Sequence, residues 1–325
     1  MTRPLSIHRR NALKAIVATL PALAIGRAFA QDRPATVRIG YQKSSTLITV
    51  LKTRGTLEQK LAPLGVKVSW HEFASGLPLL EALNVGSVDV SADVADTVPV
   101  FALAAGANLT YLAQEAPSPT AQAIVVKADS PIRSVADLKG KRVGFAKAAG
   151  VHYLLIAALE KSGLSFKDIQ PAYLAPADGR AAFERDAIDA WVVWDPYFAI
   201  AQQHYGARVV ADTADRRLAS SSFYLANRDF ATKYPAALAA TLDEIGKLTV
   251  WSGQHRDELS ALAAEATGID VKTWSIAFDR AEYSFGPVTP AHVAAQQQLA
   301  DNFQALGIIP RRINVADYVW QAPKG

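Results

Sequence analysis

One order of strand and helix signals occurs twice in this chain, about 100 residues apart. The segment 38–43 (RIGYQK) is matched by 142–147 (RVGFAK), an offset of 104 residues. Two shorter matches keep the same order at offsets of 103 and 100: they are 75–76 (SG) with 178–179 (DG), and 83–89 with 183–189. A shared order at a nearly constant offset favours two copies of one α/β unit over a single large doubly wound sheet with generic strand–glycine–helix spacing.

The second copy is predicted to be inserted into the lobe that the first copy begins. The turn-rich segment 116–120 and the strand signal at 122–126 lead into it, and the strand signal at 220–226 leads back. We therefore expect lobe one to comprise residues 31–118 and 225–325, with a mostly helical C-terminal part, and lobe two to comprise residues 119–224. Two connecting strands of this kind allow the lobes to close by a hinge motion.

Residues 1–30 have the composition of a cleavable export signal. They contain five basic residues and no acidic one, an uncharged apolar run at 15–25, and Ala28-Phe29-Ala30 at the expected cleavage position. The apolar run is shorter than the roughly 20 residues of a membrane-spanning helix. Arg9-Arg10 resembles a twin-arginine motif, and both the general secretory route and the twin-arginine route stay open. We expect export to the periplasm, with removal of this segment after about Ala30.

Removal of that segment changes the charge of the protein. The full chain has 34 basic and 30 acidic residues, but the part beyond residue 30 keeps 29 basic residues against 30 acidic ones. The sequence pI near 9.1 therefore gives no support for nucleic-acid binding. The chain has no cysteine, which excludes disulfides, thiolate metal sites and a cysteine nucleophile.

Ligands of open α/β sheets bind beyond the carboxyl ends of the strands, where helices begin. The three hydroxyl residues at 44–46 lie at such a point, and the N-terminus of a helix favours an anion. Gly76 and Gly150 would let the backbone approach a ligand closely. The rule selects these positions as candidates for binding a small anion: Gln42, Ser44, Ser45, Thr46, Gly76, Asp96, Thr97, Gly150, His152, Trp194 and Asp195.

Several of these candidates also have a purely structural interpretation. Residues 44–46 are typical helix caps, and Trp194 is typical of a core. Asp195 is a candidate either to orient hydrogen-bond donors or to meet a ligand amine. Possible supplementary cations, or else solvated surface charges, are Lys43, Lys147 and Arg180.

Five segments resemble the periplasmic substrate-binding components of sulfonate, nitrate and taurine ABC transporters, most closely the aliphatic sulfonate-binding proteins. They are 39–43 (IGYQK), 76–83 (GLPLLEAL), 93–99 (DVADTVP), 147–150 (KAAG) and 194–197 (WDPY). The resemblance implies an α/β fold of the two-lobed periplasmic-binding-protein type II, with a mixed sheet flanked by helices in each lobe, a ligand cleft between them, and delivery to a membrane permease. It also implies a sulfonate held by 44–46 and by the segments at Gly76, Asp96-Thr97, Gly150 and Trp194-Asp195. His152 departs from the family pattern, which leaves fine specificity open.

An alkanesulfonate suits such a site because it is a permanent anion with three acceptor oxygens. Neutral, preorganised donors can bind it in a dry cleft without a formal counter-charge, and its alkyl tail needs an apolar wall. Taurine, nitrate or a thiamine-pyrimidine precursor could occupy the same cleft, and these alternatives stay open.

Enzyme motifs are absent from the sequence. There is no H-E-x-x-H, G-x-S-x-G or P-loop pattern, and the histidines are scattered. Asp93 and Asp96 are more typical of capping and hydrogen bonding around the Val98-Pro99 turn than of an acid–base pair. Enzymes on this fold, such as sulfinate desulfinases, rely on cysteine, which disfavours an exported enzyme here. We predict no catalytic residue, metal or cofactor; the expected partners are the ligand and an ABC permease, and a monomer suffices for delivery.

Overall fold

The computed structural model describes residues 34–214 and 220–321. The strands are β1 (Thr36–Gln42), β2 (Lys67–Phe73), β3 (Val90–Ala95), β4 (Leu109–Glu115), β5 (Gln122–Val126), β6 (Arg142–Phe145), β7 (Gln170–Tyr173), β8 (Ala190–Trp194), β9 (Arg208–Asp212), β10 (Ser222–Asn227) and β11 (Gly286–Pro287). The α-helices are α1 (Thr46–Arg54), α2 (Thr56–Leu61), α3 (Gly76–Asn84), α4 (Thr97–Ala104), α5 (Gly150–Lys161), α6 (Pro176–Glu184), α7 (Tyr197–Tyr205), α8 (Arg228–Lys233), α9 (Pro235–Gln254), α10 (Arg256–Thr267), α11 (Val271–Arg280) and α12 (Pro290–Ala305). The predicted export signal and its cleavage site lie outside the described residues.

The strands form two separate mixed sheets. The six-stranded sheet has the order β11-β4-β10-β3-β1-β2, and the five-stranded sheet has the order β7-β6-β8-β5-β9. In each sheet the first strand of the copy, β1 or β6, pairs in parallel with the next two strands of that copy. We call the six-stranded sheet and its helices lobe one, and the five-stranded sheet and its helices lobe two. The predicted α/β architecture of two lobes, each a mixed sheet flanked by helices, is confirmed.

Each sheet is completed by one connecting strand. β10, which follows the second copy, lies antiparallel between β3 and β4 in lobe one. β5, which precedes the second copy, lies antiparallel between β8 and β9 in lobe two. The chain therefore passes from lobe one to lobe two between β4 and β5, and it returns to lobe one between β9 and β10.

The same arginine–aspartate clamp fixes the first and third strands of both copies. In lobe one, the backbone N–H of Arg38 donates to Asp89 Oδ2 at 2.8 Å, and Arg38 Nη2 donates to Asp89 Oδ1 at 2.5 Å. In lobe two, the corresponding distances from Arg142 to Asp189 are 2.8 and 2.6 Å. Each aspartate returns its own backbone N–H to the carbonyl oxygen of its arginine at 2.8 Å. This repeated geometry supports the duplication inferred from the sequence.

A glycine in each first strand meets a side chain from elsewhere in its lobe. A Cβ at Gly40 would lie 2.3 Å from Leu79 Cδ1, and one at Gly144 would lie 2.6 Å from Ile188 Cδ1.

The predicted match of 178–179 with 75–76 is wrong, because α3 begins at residue 76 and α6 at residue 176, an offset of 100. Gly179 therefore lies inside α6, where an added Cβ would lie 2.5 Å from Trp191 Nε1.

Helices cover both faces of each sheet. In lobe one, α1, α2, α9, α10 and α11 share one core with the sheet, and α3, α4 and α12 share another. In lobe two, α5 packs on one face, and α6 and α7 pack on the other. Across residues 34–214 and 220–321, no helix combines the length and apolar character that a membrane crossing requires.

Strand β3 extends further than the sequence predicts. The sequence predicts a strand at 88–90 with residues 93–99 beyond its end, whereas β3 runs from Val90 to Ala95. Val94 pairs with Phe223 of β10, a strand contributed from far along the chain. A charged residue inside an apolar run is typical of the end of a strand, whereas Asp93 lies within β3.

Candidate functional site

A cavity of about 170 Å³ lies between the two lobes, beyond the carboxyl ends of their parallel strands. Its walls come from the starts of α1, α3 and α5, from β3, β4 and β8, and from α11 with the segment that follows it. Among the predicted site residues, those that line it are Gln42, Ser44, Thr46, Gly76, Gly150, Trp194 and Asp195. Residues more than 100 positions apart in the sequence are thus brought to one cavity.

Ser45 and Thr97 are buried beside the cavity but do not line it. The Ser45 hydroxyl accepts the backbone N–H of Gln42 at 3.2 Å, which closes the turn between β1 and α1. Thr97 Oγ1 donates to the carbonyl oxygen of Ala148 at 2.7 Å and so joins the start of α4 in lobe one to lobe two. Both side chains are committed to the structure around the cavity.

His152 points into an aromatic cluster within lobe two. Its ring stacks on Phe145 with centroids 5.0 Å apart, and its Nδ1 accepts the backbone N–H of Ala148 at 3.3 Å. Burial, with a smaller contribution from Lys147, lowers the pKa of His152 to about 4. The imidazole is therefore neutral at physiological pH and packs as a core side chain.

Asp96 also lies away from the cavity. One of its carboxylate oxygens accepts the backbone N–H of Ser221 at 3.1 Å, and the residue borders a separate, neighbouring cavity with Tyr153 and Gln296. Burial raises the pKa of Asp96 to about 7. Its position at the junction of α4 and the returning segment indicates a structural role.

The helices that begin at the cavity have no side-chain caps. No side chain accepts a hydrogen bond from the first N–H groups of α1, α3 or α5. Helices α2, α4, α6, α7, α9 and α10 also lack a side-chain cap, whereas α8, α11 and α12 are capped by Asn227, Asp270 and Thr289. What distinguishes α1, α3 and α5 is that their starts meet at one cavity. The structure therefore does not support the interpretation of residues 44–46 as ordinary side-chain caps of α1. Three helix starts, from both lobes, present backbone donors and partial positive charge to one space, which suits an anion.

Gly150 lets α5 of lobe two begin directly against the returning segment. A Cβ at this position would lie 2.2 Å from Ser220 Oγ and 3.2 Å from Gln122 Oε1. Any larger residue would push the start of α5 away from the crossing strands. The close approach predicted for this glycine is thus to protein atoms that border the cavity.

Two half-buried acids line the cavity and were not among the predicted site residues. They are Asp93 on β3 and Glu115 at the end of β4. Burial raises the pKa of Asp93 well above its usual range, reinforced by the charge of Glu115, and burial raises the pKa of Glu115 to about 7. Tyr224 donates its hydroxyl to Glu115 Oε1 at 2.7 Å. The available signal was an acidic residue within an otherwise apolar strand.

An aromatic wall from the C-terminal helices was also missed. Trp274 and Phe278 of α11 and the following Tyr283 line the cavity, and Trp194 lines it from lobe two. In the sequence these C-terminal residues carry only a helical pattern, which the core of lobe one would explain equally well. Nothing local in that pattern points to a ligand.

Asp195 is engaged in an ion pair between elements of the two lobes. Arg280 Nη1, at the end of α11, lies 3.1 Å from Asp195 Oδ1, which also accepts the backbone N–H of Ala199 at 2.9 Å. Burial raises the pKa of Asp195 to about 7, although Arg280 opposes the shift. Asp195 is thus already partnered, which argues against a primary role in meeting a ligand amine.

Cations are absent from the described residues that line the cavity. Lys43, Lys147 and Arg180, the three possible supplementary cations, all lie outside its lining. Within the described ranges, no group of three or more His, Asp or Glu side chains could hold a metal ion. Among the described lining residues, the donors available to an anion are neutral amides, hydroxyls and backbone N–H groups.

Comparisons with known proteins converge on one group. The family model described as NMT1/THI5 like matches residues 62–251. A putative aliphatic sulfonates-binding protein of Escherichia coli (strain K12) is 39% identical over 313 residues, covering 96% of this chain and 97% of that protein.

Two solved structures have the same architecture. The periplasmic aliphatic sulphonate binding protein SsuA from Escherichia coli matches with a TM-score of 0.79 and 39% identity over 90% of this chain and 94% of that one. The alkanesulfonate-binding protein SsuA from Xanthomonas axonopodis pv. citri bound to MOPS matches with a TM-score of 0.85 and 37% identity over 90% of this chain and 100% of that one.

Proposed function

Because this chain belongs to the NMT1/THI5-like family, and within it to the aliphatic sulfonate-binding proteins, we propose that it captures alkanesulfonates outside the cytoplasm for import by an ABC transporter. The observation that carries the proposal is the convergence of three helix starts without side-chain caps, from both lobes, on one cavity whose described lining residues include no cation. A sulfonate has three acceptor oxygens, and such donors are strong in a site that excludes water.

The headgroup is expected at the helix starts and the tail at the apolar wall. Ser44 and Thr46 border the start of α1, and Gly76 and Gly150 are the first residues of α3 and α5. Leu47, Val98 and the aromatic residues of α11 supply apolar surface on the same cavity. Nitrate has no tail to contact this wall, so the wall favours an organosulfonate over nitrate.

Calorimetric titration of the chain without residues 1–30 tests the proposal. Ethanesulfonate and longer alkanesulfonates should bind in the low-micromolar range or tighter, roughly −8 kcal/mol or better, whereas nitrate and sulfate should bind more weakly. Ser44→Ala should weaken binding several-fold, because its side chain borders the proposed headgroup position. Tightest binding of nitrate would overturn the ligand assignment, and no binding of any sulfonate would overturn the function.

We also propose that the protein has no enzymatic activity, acts in the periplasm and works as a monomer with its permease. The support is the naming of its relatives as binding proteins, the absence of cysteine and the composition of residues 1–30. For the lobe boundaries we propose 118/119 and 221/222. The second boundary lies three residues before the predicted one, because β10 is hydrogen-bonded into the sheet of lobe one from residue 222 onward.

A further inference from the structure

Two helices from different lobes, α11 of lobe one and α7 of lobe two, lie against each other beside the cavity. Arg280 at the end of α11 meets Asp195 just before the start of α7, and Asp270 at the start of α11 meets His204 near the end of α7. The two helices therefore run in opposite directions along one contact, which we call the seam. Because Trp274 of α11 also lines the cavity, the seam joins the aromatic wall to lobe two.

Arg280 fixes the end of α11 to lobe two. Its Nη1 lies 3.1 and 3.3 Å from the two carboxylate oxygens of Asp195, and its Nη2 donates to Gln202 Oε1. Its guanidinium carbon lies 4.1 Å from the centroid of the Phe198 ring. Within the described part of the chain, the hydrogen-bond, ionic and ring partners of this side chain thus all belong to lobe two. A guanidinium has a planar fork of donors and a face that stacks on aromatic rings, and this pocket uses both.

The two ends of the seam differ in burial. The side chains of Arg280 and Asp195 are 18% and 9% exposed, whereas those of His204 and Asp270 are 51% and 50% exposed. An exposed ion pair contributes little because water screens it, and charge-assisted hydrogen bonds away from water are stronger. The strength of the seam is therefore concentrated at Arg280, whose partner Asp195 itself lines the cavity.

The seam separates more easily than the contacts within a lobe. Inside lobe one, α11 is held by apolar side chains such as Trp274 and Phe278, and separation there would expose hydrophobic surface to water. The guanidinium, carboxylate and amide groups of the seam instead form hydrogen bonds with water when they are apart. A hinge motion of the lobes would therefore open the seam while α11 stays on lobe one.

Resting on the proposed function, we propose that Arg280 is a positioning residue for ligand binding: its contacts with Asp195 and Gln202 hold the aromatic wall of α11 closed over a bound ligand. Arg280 itself does not line the cavity and acts through α11. A ligand enters while the seam is open and leaves only after it has opened again. The contribution of Arg280 therefore appears in the dissociation rate of the ligand, with little effect on its association rate.

The test is stopped-flow measurement of the binding and release of butane-1-sulfonate by the chain without residues 1–30. Tryptophan fluorescence reports both rates, since Trp194 and Trp274 line the cavity. In Arg280→Met the dissociation rate should rise about tenfold, as expected for the loss of a charge-assisted hydrogen bond, with the association rate nearly unchanged. Arg280→Lys should recover part of this loss, because an ammonium keeps the charge opposite Asp195 but not the planar fork.

Arg311→Met is the matched control. The Arg311 guanidinium also donates two hydrogen bonds, to the carbonyl oxygens of Leu103 and Ala104, but both lie within lobe one, so neither rate should change. The double variant Asp195→Asn with Arg280→Met should release the ligand no faster than Arg280→Met, because the pair is already broken. Since only folded molecules bind, reduced folding of a variant does not alter either rate.

Three results would overturn the role of Arg280 alone. They are an unchanged dissociation rate in Arg280→Met, a loss of affinity confined to its association rate, and an equally large rise of the dissociation rate in Arg311→Met. Failure of the unchanged chain to bind any alkanesulfonate would instead overturn the proposed function, and the positioning role with it.

Discussion

The first strands of the two lobes are built alike, yet their cavity ends differ chemically. Arg38 with Asp89 and Arg142 with Asp189 make the same contacts at nearly the same distances. At the cavity, however, Gln42, Ser44 and Thr46 of lobe one correspond, at the offset of 104, to Ala146, Ala148 and Gly150 of lobe two. The comparison indicates that the duplication preserves the arrangement of the strands, while at these three positions lobe one has polar side chains and lobe two has alanine or glycine.

The acidic residue of the cavity shows the same asymmetry. Asp93 on β3 corresponds to Val193 on β8, at the offset of 100 that relates those strands. Lobe two contributes Trp194 one position later. At these positions the polar side chain therefore comes from lobe one, and lobe two contributes a helix start and an aromatic ring to the cavity wall.

The largest expected effect comes from breaking the shared clamp. Asp89→Ala should lower the free energy of unfolding by about 2–3 kcal/mol, because it removes a buried acceptor of backbone and guanidinium hydrogen bonds. Asp189→Ala should have a clearly smaller effect, since the Asp189 side chain is 30% exposed and that of Asp89 only 3%. Urea unfolding of the two variants measures the difference. Equal losses would show that burial does not distinguish the two clamps.

Making the start of α5 like the start of α1 should impair ligand binding. Gly150→Thr introduces the residue that lobe one has at the corresponding position, Thr46, but its Cβ would overlap Ser220 Oγ at 2.2 Å. Displacement of the start of α5 should weaken binding of an alkanesulfonate about tenfold or more. Gly253→Thr is the control, because a Cβ there meets nothing within 4 Å. Unchanged affinity in Gly150→Thr would mean that α5 does not contribute to the site.

The smallest effect concerns the pH dependence of stability. His152 corresponds to the buried Ile48 of lobe one, and its folded pKa of about 4 lies below the ordinary value of 6.5. At this site the unfolded chain therefore binds a proton that the folded chain does not, so the contribution of His152 to stability falls as the pH decreases from 6.5 towards 4. At about pH 5.5 this costs about 1 kcal/mol.

His152→Ile should remove that loss. Thermal unfolding at about pH 7.5 and about pH 5.5 measures it, with His71→Gln, at an exposed position on β2, as the control. An acid-dependent loss of stability that is as large in His152→Ile as in the unchanged chain would show that the buried imidazole is not its source.

Part of the site could be predicted because strand ends and helix starts are local features. Gln42, Gly76 and Gly150 follow from the position of a strand end or a helix start alone, and all three line the cavity. Ser44, Ser45 and Thr46 could not all face a ligand, because successive residues at a helix start point in directions about 100° apart. Ser45 is the one that turns inward.

The rest of the candidate site could not be predicted, because it depends on contacts between residues that are far apart in the sequence. His152 lies near a helix start like the predicted ligands, but the neighbouring rings of Phe145 and Phe166 direct it into the core. Glu115 reaches the cavity because β10 pairs with β4, and Trp274 reaches it because α11 packs onto lobe one. Each of these placements joins residues that are far apart in the sequence.

By itself, the sequence determined the duplicated α/β frame, since the strand and helix patterns, the glycines and the offset between the copies are properties of neighbouring residues. Only the tertiary structure decided which side chains meet at the cavity. The pairing of β10, the docking of α11 and the burial of Asp93 and Glu115 depend on packing summed over the whole protein. The two-lobed α/β architecture could therefore be predicted from the sequence, whereas the acidic and aromatic residues of the cavity could be identified only from the tertiary structure.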